Sequence, residues 1–547
     1  EFAAWREFPT WKEWWNNGRQ YSEEGSENAY GGYYTKEDIR ELVAYAESRY
    51  ITIIPEIEMP AHSEEVLTAY PELSCTHEPY KQADFCVGNE KTFEFLENVL
   101  TEVMELFPSE YIHIGGDEAG KASWPTCKLC QARMKKEHLT HEEDLQGYFM
   151  KRMCEYVQSK GREVIGWDEL TNSTIPDGTI ILGWQGMGTA ALKAAELGHP
   201  FIMTPARIMY LIRYQGPQWF EPVTYFGNNT LRNVFDYEPV QEDWKPEYTS
   251  LLMGVQGSMW TEFCNKPEDV DYLVFPRLAA LAEVAWTQPA RKEWTAFLKG
   301  LDAYNEHLTA KGIVYARSMY NIQHTVTPNN GMLEVELECI RPDMEIHYTT
   351  DGSEPTATSP LYEKIVPVKE ALTLKGAIFA HGRQMGKTLI LPVRWNLATA
   401  KPVLGTNPTE KLLTNGIRGS LKYSDFEWCS WADNDSVSFT IDLLKLEMLN
   451  TLILGCITNN GMAIHKPASV RVEVSDDNSK FREAVVQSFT SEEIFREGNF
   501  IENLSLKLGG TQARYVRVTA KGPGVCPASH VRPGQTSRIF FDEVMLE

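Results

Sequence analysis

The sequence predicts a (β/α)8 TIM barrel followed by two all-β sandwich domains, and two observations carry this prediction. Over about the first 320 residues, short apolar runs rich in β-branched residues alternate with amphipathic helical stretches. Repeated strand–helix units of this size are typical of a parallel sheet, and their number favours a closed barrel over an open sheet. After about Ile322, strand-like runs are separated by turn residues instead. The predicted domains therefore cover residues 1–321, 322–396 and 397–547.

The predicted elements of the barrel begin with a helix over residues 35–49. Thr35 is its expected N-cap, and Asp38 three residues later completes an acidic variant of the capping box. Further helices are predicted over residues 91–107 and 141–161, the second of which is expected to end at Gly161. The predicted strands lie at residues 50–60, 110–116, 163–170, 179–186, 200–211 and 251–260.

The strand count leaves the barrel two strands short. About six strands follow residue 50, whereas the barrel needs eight. The segment WKEWWNNG at residues 11–18 is expected to be part of a long loop and not one of the other two strands. We therefore expect these strands to precede Glu1, so that the chain begins inside the barrel.

The two later domains are predicted from short runs with strand-like composition. The small domain is expected to end near Trp395, and a linker is expected at residues 397–405. In the last domain, the spacing of the runs and the density of turn residues predict a jelly-roll sandwich.

The composition argues against several classes of partner. The formal net charge is −24, so the field of the protein repels nucleic acid and anionic lipid. No stretch approaches the ~18 consecutive apolar residues of a membrane-spanning helix. No signal segment is visible at the start of the chain, and the N-terminus therefore does not indicate the localisation.

Ten cysteines are too few for a disulfide scaffold in a chain of 547 residues. Cys75 and Cys86 flank a short polar loop, and in an oxidising compartment they are a possible disulfide pair. Cys127 and Cys130 have the spacing of half a zinc site. Because no second pair with matching spacing follows them, the sequence argues against a structural zinc site.

The segment YIHIGGDEAGKASW at residues 111–124 carries the strongest chemical signal. A predicted strand ends at two glycines, and Asp117 and Glu118 follow at once. Active sites of parallel barrels lie at this end of the strands. Adjacent residues on an extended chain point in different directions, so we expect the two carboxylates to have different roles. Glycosidic cleavage needs a proton donor and a stabiliser of the cationic centre, for which Glu118 and Asp117 are candidates. The alternative is a solvated acidic turn.

Other predicted strand ends supply further candidates. Three tryptophans in similar positions are expected to form the walls of an apolar box around a sugar and its amide, although each alone is typical of core packing. His62 follows the first predicted strand, and its alternative is a hydrogen-bonded loop histidine. The remaining candidates are Trp167, Trp184, Tyr210, Trp260 and Glu262.

These motifs resemble those of the family 20 glycoside hydrolases, the β-N-acetylhexosaminidases. The matching segments occur in the family's order over residues 1–310, and HIGGDE and PEIEMPAH are the most specific of them. The resemblance implies a (β/α)8 barrel that removes terminal β-linked GlcNAc or GalNAc from glycans. The implied reaction retains the anomeric configuration, proceeds through an oxazolinium formed by the substrate's own acetamide, and needs no metal or cofactor.

The resemblance also implies a role for each matching residue. Glu118 corresponds to the general acid/base, Asp117 to the carboxylate that polarises the acetamide, and Tyr210 to the tyrosine that binds the acetamide oxygen. The tryptophans correspond to the lining of the sugar subsite and Glu262 to a ligand of the outer hydroxyls. The implied roles of His62 and His113 are to support the acidic pair, with His62 also counted among the substrate-binding residues.

Two departures from the family pattern affect these expectations. The arginine and acidic residues of the family's first two barrel strands are expected before Glu1. After Tyr210-Leu211, where the family usually has Asp or Asn, this chain has Ile212 followed by Arg213. One hypothesis is that Arg213 binds a sulfated or otherwise anionic substrate, and the alternative is that it pairs with a local acid.

The last domain resembles discoidin-type domains, which bind glycans and sometimes calcium. Trp428 and Trp431 are its candidate ligand contacts. The alternative function is therefore a catalytically impaired glycan-binding protein that acts through this domain. A secreted, periplasmic or cell-surface location is expected from the substrate class, and no nucleic-acid partner or membrane span is expected.

Overall fold

The computed structural model describes residues 3–5, 21–22, 29–30, 32–241, 244–431 and 436–547. The loop predicted at residues 11–18 lies outside these residues. Near the start of the chain, three short strands form an antiparallel sheet, namely β1 (Ala3–Trp5), β2 (Tyr21–Ser22) and β3 (Ala29–Tyr30).

The α/β part is built on a parallel sheet, of which the structure describes six strands. Its neighbours pair in chain order from one edge to the other, so the sheet is wound in one direction without a reversal. The six strands are β4 (Glu56–Met59), β5 (Tyr111–Gly115), β6 (Glu163–Trp167), β7 (Ile180–Gly183), β8 (Phe201–Met203) and β11 (Leu252–Val255). Between β8 and β11 in the sequence, β9 (Arg213–Tyr214) and β10 (Tyr225–Asn228) form a separate parallel pair.

Helices connect these strands and cover their apolar side chains. Phe93 and Phe149 from two of them are buried in one core together with Ile112 and Ile114 of β5. The helices are α1 (Lys36–Glu47), α2 (Glu64–Ala69), α3 (Glu90–Leu106), α4 (Lys128–Lys136), α5 (Glu142–Ser159), α6 (Ala190–Glu196), α7 (Leu231–Asp236), α8 (Pro246–Thr249), α9 (Pro267–Val274), α10 (Arg277–Trp286) and α11 (Trp294–Ala310). Short 3-10 helices lie at Pro71–Leu73, Trp124–Thr126, Asp168–Asn172, Gln218–Phe220, Pro289–Arg291, Ser318–Tyr320, Glu410–Thr414 and Asn460–Met462.

The local signals in the sequence agree with the ends of these helices. Thr35 and Asp38 form the predicted capping box at the start of α1. Gly161 follows α5 with a φ of 75°, which a glycine adopts without a steric cost. The strand predicted over residues 50–60 is shorter than expected, because β4 covers only its last part. Among the described strands β4 pairs with β5 alone, and Ile51 and Ile54 before it are exposed.

The small β domain contains two sheets around one core. Buried Val335 and Ile378 come from different sheets and belong to the same apolar cluster. The first sheet contains β12 (Gln323–Asn329), β13 (Met332–Glu338) and β15 (Val366–Val368), and the second contains β14 (Glu345–Thr349), β16 (Leu372–Ala380), β17 (Arg383–Gln384) and β18 (Leu389–Val393).

The last domain is also rich in sheet. Two long antiparallel strands, β21 (Ser436–Asn459) and β24 (Asn499–Lys521), carry most of its core, and their register shifts between Asp442 and Glu447 and again between Leu449 and Thr451. Its strands are β19 (Val403–Leu404), β20 (Cys429–Ser430), β21 (Ser436–Asn459), β22 (Ser469–Ser475), β23 (Arg482–Ser488), β24 (Asn499–Lys521) and β25 (Phe540–Leu546), with a short helix α12 (Ser491–Ile494). In the described parts of the chain, no helix has the length and apolar character needed to cross a membrane.

Candidate active site

The chain turns sharply where β5 ends, and glycine makes this turn possible. Gly115 and Gly116 have φ values of 69° and 104°. A Cβ atom on Gly115 would lie 2.0 Å from the Glu58 carboxylate, and the Gly116 N–H donates to Glu58 Oε1 at 2.9 Å. Because Glu118 also has a positive φ of 49°, the backbone here is not extended. The expectation that Asp117 and Glu118 diverge as on a strand is therefore wrong.

One imidazole contacts both acidic side chains. His62 Nε2 lies 3.6 Å from Asp117 Oδ2 and 3.4 Å from Glu118 Oε2. Hydrogen bonding to Asp117 and then to Glu118 raises the pKa of His62 to about 10, so the ring is a cation at neutral pH. The three side chains therefore form one compact polar cluster, and their atoms are also close enough to one another to hold a metal ion.

Two acids that follow β6 hold the neighbouring loops in place. The Glu118 N–H lies 3.2 Å from both carboxylate oxygens of Glu169. Asp168 Oδ2 accepts hydrogen bonds from the backbone N–H groups of Trp184 and Gln185 at 2.9 and 3.0 Å. Burial raises the pKa of Asp168 to about 6. The two carboxylates after β6 thus bind backbone N–H groups in the loops after β5 and β7.

The structure brings the candidate aromatic residues together beside the acidic pair. The Trp184 and Tyr210 rings stack with centroids 6.2 Å apart, and Tyr210 lies 6.2 Å from Trp260. Trp260 in turn lies 6.1 Å from Trp167. Burial raises the pKa of Tyr210, and the nearby negative charge of Asp117 acts in the same direction. The Tyr210 hydroxyl therefore remains a proton donor at neutral pH.

Besides His113 Nε2 and Asp168 Oδ1, three buried polar atoms at this site have no hydrogen-bond partner within the described residues. They are Asp117 Oδ1, Trp184 Nε1 and Glu262 Oε2. Leaving a buried polar atom unpaired costs about 1–3 kcal/mol, so such atoms in a native protein need an explanation. These two acceptors and one donor lie around an aromatic surface. A polar ligand with apolar faces can form hydrogen bonds with the three atoms and pack against the rings.

The contacts of His113 differ from those of His62. His113 Nδ1 accepts the Gly115 N–H at 3.1 Å and lies 3.4 Å from Glu56 Oε1, and its ring packs edge-on against Trp167 at 5.0 Å. Burial lowers the pKa of His113 to about 3, so the ring is neutral. His113 thus contacts Trp167 both directly and through Glu56.

Sequence reasoning missed two acids in β4. Glu56 accepts a hydrogen bond from Trp167 Nε1 at 3.0 Å, and Glu58 accepts the Gly116 N–H. Burial raises the pKa of Glu56 to about 7, and burial together with the charge of Asp117 raises the pKa of Glu58 further. The signal was present in the sequence, because acids two residues apart at the end of a strand point to the same side.

These shifts predict a loss of stability as the pH rises. Both β4 acids hold their protons more tightly in the folded protein, so stability is present below the ordinary glutamate pKa and falls as the pH passes through the raised values. Glu58→Gln keeps an acceptor for Gly116 but cannot ionise. We expect this variant to raise Tm at pH 9 by about 2–4 °C, the shift for roughly 1 kcal/mol in a domain of this size. Thermal unfolding at pH 5 and pH 9 measures the effect.

The matched control is Glu65→Gln, because Glu65 is an exposed acid of α2. It should leave the difference in Tm between the two pH values unchanged. A Glu58→Gln variant that loses as much stability at pH 9 as the parent protein would contradict the assignment.

Arg213 lies at the start of β9. Its Nε donates to the Ala206 carbonyl at 2.8 Å, and its guanidinium lies 5.7 Å from the centre of the Tyr225 ring. Burial raises the pKa of Tyr225, the positive charge of Arg213 opposes this rise, and the charges of Glu262 and Glu118 add to it. Tyr225 is therefore a further site residue that the sequence did not indicate, whereas Ile212 is buried.

Comparison with known proteins gives three matching family models. Residues 4–289 match the glycosyl hydrolase family 20 catalytic domain, residues 328–389 the chitobiase/beta-hexosaminidase C-terminal domain, and residues 399–531 the F5/8 type C domain. The last match confirms the predicted discoidin-like domain.

Curated relatives match a large part of the chain. A beta-hexosaminidase of Porphyromonas gingivalis is 36% identical over 367 residues, which are 64% of this chain and 46% of the relative. One from Vibrio furnissii is 36% identical over 267 residues, 46% of this chain and 43% of the relative. A crystal structure of a Vibrio harveyi GH20 exo beta-N-acetylglucosaminidase with N-acetylglucosamine is 31% identical with a TM-score of 0.47, covering 52% of this chain and 47% of that chain.

The chain spans about half the length of these relatives. The catalytic-domain model nevertheless covers more than half of the chain. It contains the acidic cluster, formed by His62, Asp117 and Glu118, and the aromatic wall, formed by Trp167, Trp184, Tyr210 and Trp260. The chain belongs to glycosyl hydrolase family 20.

Proposed function

We propose that the protein is an exo-acting β-N-acetylhexosaminidase that releases terminal β-linked GlcNAc or GalNAc from glycans. One observation carries the proposal: buried, unpartnered Asp117 Oδ1 and Trp184 Nε1 lie beside an aromatic wall and next to a second carboxylate. A sugar with an acetamido group has apolar faces for the aromatic rings and hydrogen-bonding groups for these atoms. The names of the relatives in family 20 support the same substrate class.

The proposed reaction has two steps. In the first, Glu118 gives its proton to the glycosidic oxygen while the substrate's acetamide oxygen attacks the anomeric carbon, and the aglycone leaves as an alcohol. Asp117 accepts the acetamide N–H and stabilises the positive charge of the oxazolinium that forms. In the second step, water attacks the anomeric carbon, Glu118 takes its proton back, and the acetamide is restored. Two displacements at the same carbon retain the β configuration.

The remaining site residues are proposed to hold the sugar. Tyr210 donates its hydroxyl proton to the acetamide oxygen, and the acetamide methyl and the sugar faces pack on Trp167, Trp184 and Trp260. Glu262 accepts a hydrogen bond from an outer hydroxyl through its unpartnered Oε2. Arg213 is a candidate contact for an anionic substituent on the substrate.

The proposed architecture is a (β/α)8 barrel over residues 1–321, a small β-sandwich over 322–396 and a discoidin-like β-sandwich over 397–547. The single winding direction of the six described parallel strands supports a barrel, because open doubly wound sheets reverse their strand order. The proposed partner is a glycan with terminal N-acetylhexosamine. A secreted, periplasmic or cell-surface location is proposed from this substrate class.

Hydrolysis by the full-length protein tests the proposal. We expect release of 4-nitrophenol from 4-nitrophenyl N-acetyl-β-D-glucosaminide. Release from 4-nitrophenyl β-D-glucoside, which has a hydroxyl in place of the acetamide, should be slower by a factor of about 10² or more. Proton NMR of the first product should show the β anomer. Equal turnover of the two glycosides, or release of the α anomer, would exclude the mechanism. Glycan binding without any turnover would favour the alternative of an impaired, glycan-binding protein.

A further inference from the structure

Four cysteine side chains converge in the α/β part of the molecule. Cys75 and Cys86 lie in the segment between α2 and α3, and Cys127 and Cys130 lie at the start of α4. The four sulfur atoms all lie within 4.8 Å of one another. Cys86 and Cys130 are buried and the other two are half-buried, so the cluster is largely shielded from water.

The distances between the sulfur atoms match those around a tetrahedral metal ion. The Sγ atoms of Cys75 and Cys130 are 3.7 Å apart, and Cys86 Sγ lies 3.6 Å from that of Cys127 and 3.8 Å from that of Cys130. A zinc ion with Zn–S bonds of about 2.3 Å places its sulfur ligands about 3.8 Å apart. We propose that Cys75, Cys86, Cys127 and Cys130 bind a structural zinc ion.

A pair of disulfides does not account for this arrangement. Bonded sulfur atoms lie about 2.05 Å apart, which distinguishes one partner clearly from the others. Cys86 instead lies at nearly equal distances from two cysteines, and all four thiols are free. The sequence interpretation looked for a second pair after Cys127 and Cys130, whereas the structure brings it from upstream, with ten residues between its cysteines. The disulfide expected between Cys75 and Cys86 is absent from the described structure.

The backbone around the cluster suits negatively charged sulfur ligands. Cys127 is the N-cap of α4 and Cys130 lies in its first turn, where unpaired N–H groups favour anions. Gly88 packs so closely on this turn that a Cβ atom would lie 2.2 Å from Cys130 N. Four thiolates and Zn²⁺ carry a net charge of −2, which these donors stabilise.

The proposed zinc site joins the two loops that carry the acidic cluster. Its first pair belongs to the segment after β4, which also carries His62, and its second pair follows Asp117 and Glu118 after β5. Asp84 accepts the N–H groups of Gly120 and Lys121 at 3.2 and 2.8 Å, and the Trp124 indole donates to the Phe85 carbonyl at 3.1 Å. The zinc ion therefore positions the loops and takes no part in bond cleavage.

Metal analysis of the full-length protein tests the proposal directly. After gel filtration in metal-free buffer, we expect about one zinc ion per chain and little iron, since sites made of four cysteines hold either metal. Native alkylation followed by peptide mapping should leave these four cysteines unmodified, and unfolding with a chelator should expose them together with release of the zinc. Stoichiometric iron, disulfides between these cysteines, or four reactive thiols without metal would each overturn the assignment.

Variants separate ligation from a general effect on folding. Cys127→Ala should lose most of the bound zinc, whereas Cys127→His, which keeps a ligand, should retain it with weaker affinity. Cys339→Ser is the matched control, because Cys339 is a half-buried cysteine of the small β domain, and its zinc content should be unchanged. If Cys127→Ala fails to fold, the metal content and alkylation pattern of the parent protein decide the proposal. Full zinc content in a folded Cys127→Ala would contradict it.

Discussion

Replacing Glu118 with Gln is expected to lower kcat for a β-N-acetylhexosaminide with an alkyl or sugar aglycone by about 10²–10⁴-fold, the usual contribution of general acid–base catalysis. The glutamine side chain occupies nearly the same space but has no proton to give to the leaving oxygen. An aglycone that leaves readily as an anion needs little protonation, so its turnover should fall much less. The measurement is kcat across a series of aryl N-acetylglucosaminides whose leaving groups differ in acidity.

The control for this variant is Glu143→Gln. Glu143 forms an ion pair with Lys121 at 3.0 Å on the loop after β5, and it contacts none of the proposed catalytic groups in the described structure. We expect its kcat to stay near that of the parent protein. A uniform loss across all aglycones in Glu118→Gln would mean that this side chain is not the proton donor.

Replacing Asp117 with Asn is expected to lower kcat by about 10²–10³-fold, the range seen when one preorganised stabilising group is removed from a transition state. The amide keeps the size of the carboxylate but loses the charge that stabilises the oxazolinium. It also removes one of the two carboxyl groups that contact His62. Both aryl and sugar aglycones should be affected, since oxazolinium formation accompanies the departure of either.

The substrate's own amide provides the decisive comparison. In the parent protein, replacing the N-acetyl group by N-trifluoroacetyl should slow hydrolysis, because fluorine withdraws electrons from the attacking oxygen. This sensitivity should change in Asp117→Asn and persist in Asp177→Asn, a control at an exposed loop residue. Unchanged kcat in Asp117→Asn would disprove the proposed role.

Local sequence patterns were sufficient to predict most of the parallel strands and the grouping of the aromatic residues. Trp184, Tyr210 and Trp260 each follow an apolar run, and parallel strands end on the same side of a sheet, so the chain itself brings their rings together. The capping box at Thr35 was equally readable, because its two partners are three residues apart.

Other features depend on contacts between distant residues or on unusual backbone geometry. Both acidic side chains contact His62 because the backbone near the end of β5 has positive φ values. The alternation of side chains along an extended strand does not predict such a backbone. Cys75 and Cys130 meet although 55 residues separate them. Spacing alone could not pair them, because their approach depends on how the segments after β4 and β5 pack.

The contact of one imidazolium with two carboxylates has a consequence for the proposed reaction cycle. In the proposed reaction, Glu118 gives up a proton beside His62, so the summed charge of the three side chains falls by one. The oxazolinium that forms in the same step supplies one positive charge beside them. The summed charge of the three side chains and the ligand thus stays constant through the first step, so the surrounding dipoles need little reorientation as the proton moves.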